Sequence, residues 1–142
     1  MPRYMIQVRA TATSEAGDFP DDPTLVPRMM AFHDEMAKAG VLLDGAGLQP
    51  SSQGFRVLYD TAGRGRVMDG PFAEAKELIA GYTLIEVPSR DEALAWAQRF
   101  PVPFPGQPCC IEVRPLMGGI DMPPEDAERI IREQLAAIKQ GR

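Results

Sequence analysis

The sequence predicts an α+β domain on the ferredoxin-like split βαβ plan, and two observations carry that reading. Segments with the two-residue period of half-buried strands alternate with segments of helical period in the order β-α-β-β-β-α-β. Setting aside one short hairpin arm leaves the split βαβ order, with both helices on one face of an antiparallel sheet. The chain also has the size of one domain, since 142 residues with 44% hydrophobic content fill a single core.

The first strand is Tyr4 to Ala10, where Tyr4, Ile6, Val8 and Ala10 share one face and Met5, Gln7 and Arg9 the other. Residues 11 to 24 carry Pro20 and Pro23 among small polar residues without a period, which reads as a long loop of the kind that forms lids. From Leu25 to Ala39 the apolar residues recur at helical spacing. At about 100° per residue, Val26, Met29, Met30, Met36 and Ala37 fall near the direction of His33, so His33 is expected to point inward. Gly40 supplies the stop, Val41 to Leu43 begin a short strand, and Gly45-Ala46-Gly47 allows close approach of a ligand or chain.

Phe55, Val57 and Tyr59 alternate with Arg56 and Leu58, and Gly63-Arg64-Gly65 returns the chain through Arg66 to Met68 as a hairpin. Asp69-Gly70-Pro71 then forms a sharp turn. Tyr82 to Val87 make a further strand. Ser89 with Glu92 reads as a capping box for a helix presenting Ala93, Leu94, Trp96, Ala97 and Phe100, which Pro101 ends. A four-proline connector leads to the last strand, Cys109 to Arg114.

This organisation gives residues 1–116 as the α+β domain and 117–142 as a C-terminal helical extension. The added helix runs from Pro124 to Lys139, with Ala127, Ile130, Ile131, Leu135 and Ile138 on an apolar stripe that needs cover. The sheet's second face is expected to leave residues such as Met5, Leu58 and Ile85, or their alternates, uncovered. A homodimer, sheet against sheet, is the simplest cover; the alternative is a monomer whose terminal helix folds back over its own sheet.

A net charge of −5 argues against nucleic acid or an anionic membrane as partner. No run of apolar residues is long enough to cross a bilayer and no signal segment is visible, so a soluble, cytoplasmic protein is expected. Cys109 and Cys110 are adjacent and expected to be free thiols, one of them buried on a strand; with a single distant histidine, no metal site is expected. No phosphate loop, dinucleotide fingerprint or nucleophilic triad is present, and no motif requires a cofactor.

His33 is the one side chain whose type titrates near neutrality, which makes it the candidate general acid or base; the alternative is a satisfied core histidine. Asp69 either orients the imidazole or only forms the turn ahead of Gly70-Pro71. Glu74, Lys76 and Glu77 follow that turn as a polar rim, with Lys76 placed to attract an anionic substrate, or as a solvated segment. Arg56, with Arg9 and Arg114, offers forked hydrogen bonds to a carboxylate or phosphate, or interstrand ion pairs. Asp44 beside Gly45 is a further pocket candidate, and Tyr82 is core or pocket wall.

The stretch Met68-Asp69-Gly70-Pro71-Phe72-Ala73-Glu74-Ala75-Lys76-Glu77, followed by Gly81-Tyr82, resembles the DGPF-domain proteins, a branch of the YCII-related superfamily. The likeness extends to the first-helix histidine, to Gly45-Ala46-Gly47-Leu48-Gln49-Pro50 and to Glu112-Val113-Arg114-Pro115, covering most of residues 3 to 116. It implies a dimeric α+β barrel and a pocket lined by that histidine and an acidic residue. It implies no assigned reaction. Ala75 stands where many relatives carry Thr. The resemblance leaves two functional expectations. One is a small-molecule-binding protein, possibly an enzyme, with His33 as general acid or base. The other is a non-catalytic binding or regulatory module associated with an extracytoplasmic-function sigma factor.

Overall fold

A computed structural model describes residues 1–117 and 124–141. Strands β1 (Arg3–Arg9), β2 (Leu42–Gly47), β5 (Ile79–Glu86) and β6 (Ile111–Pro115) form an antiparallel sheet in the order β2-β5-β1-β6. That order is the ferredoxin-like one. Helices α2 (Leu25–Lys38) and α3 (Arg90–Gln98) cover one face, where Tyr4, Ile6, Ile85 and Val87 meet Phe32, Met36 and Ala93 in a single core. Strand alternation delivers these residues to one side. Ile6, Met36, Ile85 and Val87 are fully buried.

Local chemistry sets the element ends. Gly40 adopts φ 76° after α2, its amide donating to Ala37 and the Val41 amide to Met36, both at 3.0 Å, which turns the chain straight into β2. Ser89 caps α3 by accepting from the Glu92 amide at 3.3 Å. The loop expected over residues 11–24 contains one helical turn, α1 (Ala12–Glu15), capped through Thr11 and Ser14. Because α1 buries no side chain, no apolar period announced it.

Several faces differ from expectation. In α2 the buried positions are Leu25, Phe32 and Met36, while Val26 and Met30 are exposed, so the inward stripe is rotated and His33 lies at its border. β2 runs on through Asp44-Gly45-Ala46-Gly47 as a paired edge strand. The hairpin β3 (Phe55–Tyr59) and β4 (Gly65–Asp69) is a separate two-stranded sheet.

The sheet's open face is not the apolar one anticipated. Ile85 is buried under the helices and Leu58 belongs to the hairpin, leaving Met5 and its cross-strand partner Leu84 among ion pairs. Arg3 pairs with Glu86 at 3.0 Å and Arg9 with Glu112 at 3.7 Å, the interstrand use expected for Arg9. The terminal helix α4 (Pro124–Gln140) keeps Ile131, Leu135 and Ile138 more than half exposed. These three residues of its stripe are not buried against the described residues. Cys109 and Cys110 precede β6; both are free, Cys109 half-buried and Cys110 exposed, so neither is the buried strand thiol anticipated.

Candidate functional site

Between α2, the edge strand β2 and the segments around residues 17–20 and 100–104 lies a cavity of about 930 Å³. That is the upper part of the range in which small-molecule sites fall. Its walls are largely apolar, including Val26, Met29, Met30, Leu48 and Phe104. Exposure of Val26 and Met30 thus has a structural sense, since the helix face that misses the core lines this space.

His33 sits where core and cavity meet, half-buried, with Phe32 and Phe100 set edge-on to its ring at centroid distances of 6.1 and 6.0 Å. Its Nδ1 lies 2.8 Å from the Met29 carbonyl oxygen and its Nε2 2.8 Å from Thr83 Oγ1. A carbonyl oxygen only accepts, so Nδ1 carries the proton of the neutral ring. Nε2 then presents its lone pair, and the Thr83 hydroxyl donates to it. In the imidazolium form Nε2 would donate to Thr83 Oγ1 instead. The geometry serves both protonation states without moving either side chain.

Thr83 is 2% exposed and is the buried polar residue among those described. It occupies the inward row Gly81, Thr83 and Ile85 of β5, continued by Val87 just beyond it, where every neighbour is apolar or glycine. Opposite it stands Gly45; a Cβ there would lie 3.7 Å from the His33 ring, in ordinary contact.

The other expected site residues divide into two groups. Asp44 and Tyr82 border the cavity, and the Tyr82 hydroxyl donates to Asp44 Oδ2 at 3.1 Å. That bond, and then the carboxylate's charge, raises the Tyr82 pKa above the usual phenol value. Alternation places both side chains on the sheet face opposite Thr83, so they bond each other and not His33. Asp69, Arg56, Glu74 and Lys76 do not line the cavity. Arg56 stacks on Phe72 at 3.8 Å from the ring centroid, Glu74 is exposed, and the Lys76 carbonyl accepts from Arg9 Nε at 3.1 Å.

Asp69 does not orient His33, because both ring nitrogens are already engaged by Met29 and Thr83. The turn that contains it has a structural basis instead. A Cβ at Gly70 would fall 1.8 Å from the Ser51 carbonyl oxygen, so only glycine lets the two backbones meet. Ser51 Oγ accepts from the Phe72 amide at 3.0 Å and donates to the Glu15 carboxylate, which also accepts from the Ser51 amide at 3.0 Å. Glu15 and Ser51 therefore tie the turn to the segment bordering the cavity. Neither was anticipated, since each acts through a partner distant in sequence.

The fold and the histidine-walled cavity define a class: a ferredoxin-like α+β domain with a pocket of small-molecule size. A family model for the YCII-related domain matches residues 3–117, and the chain belongs to that family. It is similar to an uncharacterized protein of Rhizobium meliloti (strain 1021), with 38% identity over 96 residues covering 68% of this chain and 76% of that protein. Helix α4 lies outside the matched residues. Among the described residues no helix is long and apolar enough to cross a membrane.

Proposed function

We propose that this YCII-related domain binds a small molecule with a largely apolar body and that His33, working through Thr83, is its general acid or base. The observation that carries the reading is the bond chain from the Met29 carbonyl through His33 to Thr83 at the cavity wall, with both links 2.8 Å long. A base needs a free or exchangeable lone pair within hydrogen-bond reach of the proton it removes. Nε2 meets that need through the Thr83 hydroxyl: as Thr83 Oγ1 accepts a proton from the ligand, its own proton passes to Nε2. The return transfer regenerates the neutral ring, so the relay balances.

The test uses 4-phenylbutan-2-one, an uncharged ketone with exchangeable protons beside its carbonyl, incubated with the protein in D2O and followed by proton NMR. Catalysed deuterium incorporation that disappears in His33→Gln is the expected result. Binding with equal exchange in wild type and variant would contradict a proton-transfer role for His33.

We further propose that the chain pairs with a second copy through the hairpin. The β3–β4 register puts Phe55, Val57, Tyr59 and Val67 on one face, and they are exposed by 67%, 41%, 73% and 64%. A two-stranded ribbon with such a face is marginal in water. Asp69, opposite Phe55, is the one charged residue on that face.

A further inference from the structure

We infer that the ligand of this cavity carries no negative charge; this rests on the small-molecule reading above and adds the ligand's charge class to it. Among the described residues no lysine or arginine lines the cavity, whereas the acidic residue Asp18 borders it; Asp44 lends its backbone to the wall and turns its carboxylate to Tyr82 on the other sheet face. Asp18 is held by no ion pair among the described residues. The nearby cations are used elsewhere: Arg9 pairs with Glu112, Arg28 with Asp22 and Arg99 with Glu35.

The remaining sources of positive potential are also spoken for. His33 has no free donor to offer an anion, because Nδ1 is bonded to the Met29 carbonyl and Nε2 to the Thr83 hydroxyl. The N-terminal end of α2, which attracts anions in principle, already has the Asp22 carboxylate, accepting from the Thr24 amide at 2.9 Å. An anion entering among Met29, Met30 and Phe104 would lose its hydration with no counter-charge to replace it. The chain's net charge of −5 opposes its approach as well. An uncharged or cationic molecule meets neither obstacle.

Three probes with one skeleton test this on the full chain by calorimetry at neutral pH: 4-phenylbutan-1-ol, 4-phenylbutylamine and 4-phenylbutanoate. The alcohol and the amine are expected to bind with a Kd about tenfold or more below that of the carboxylate. A carboxylate that binds as tightly as the alcohol, or more tightly, overturns the charge assignment while leaving the cavity as a ligand site. Failure of all three to bind overturns the cavity reading and this inference with it. In Asp18→Asn the difference between carboxylate and alcohol should shrink; an undiminished difference would contradict the role given to that carboxylate.

Discussion

Thr83 Oγ1 and His33 Nε2, fifty residues apart in sequence, stand 2.8 Å from each other across the junction of core and cavity. Thr83→Val keeps the side-chain shape but leaves Nε2 without its donor. The expected loss is about 1 to 3 kcal/mol of stability by urea unfolding. Thr83→Ser, which retains the hydroxyl, should recover most of it. Equal stability of the valine variant and wild type would show that the bond does not form.

The turn before Phe72 is expected to act through its glycine and not its aspartate. Gly70→Ala forces a methyl group into the Ser51 carbonyl and should cost about 1 to 3 kcal/mol or more. Asp69→Ala, on an exposed residue outside the cavity, should stay within about 0.5 kcal/mol of wild type and leave ketone exchange unchanged. Thermal melts of the two variants separate these outcomes. The reverse order would restore a site role to Asp69.

Tyr82 should ionise above the ordinary phenol range, because its proton is shared with Asp44 and a phenolate would face that carboxylate. The protonated phenol is the bonded form, so the interaction is fully present below the ordinary phenol pKa and is lost as pH rises through the raised value. Asp44→Asn should bring this titration down. An ultraviolet difference titration against Tyr82→Phe isolates the residue from the other tyrosines.

If the hairpin face pairs two copies, light scattering after gel filtration should give twice the 15.6 kDa of one chain. Val57→Asp, placing a charge in the centre of that face, should yield a folded monomer. A wild-type monomer at micromolar concentration would contradict the pairing.

The strand and helix plan was legible because alternation at Tyr4, Ile6 and Ile85 and the helical spacing of Phe32 and Met36 are direct consequences of core burial. His33 could be placed on its helix, but its partner could not be chosen, since that requires the register of β5 against β2. A signal for Thr83 existed nonetheless: it is the polar residue in an otherwise inward row of Gly81, Ile85 and Val87. Asp69 drew attention through its turn, and sequence gave no measure of its distance from the cavity. Val26 and Met30 read as core because an apolar cavity wall and an apolar core leave the same helical pattern.

The central claim is that neutral His33 is held as the Nδ1–H tautomer with Nε2 facing Thr83. His33 is the chain's one histidine, so a long-range proton–nitrogen correlation spectrum reports it without assignment. At a pH where the ring is neutral, the account predicts a protonated-type nitrogen signal for Nδ1 and an unprotonated one for Nε2, with Nε2 shifting in Thr83→Val. A neutral ring protonated at Nε2 would contradict it.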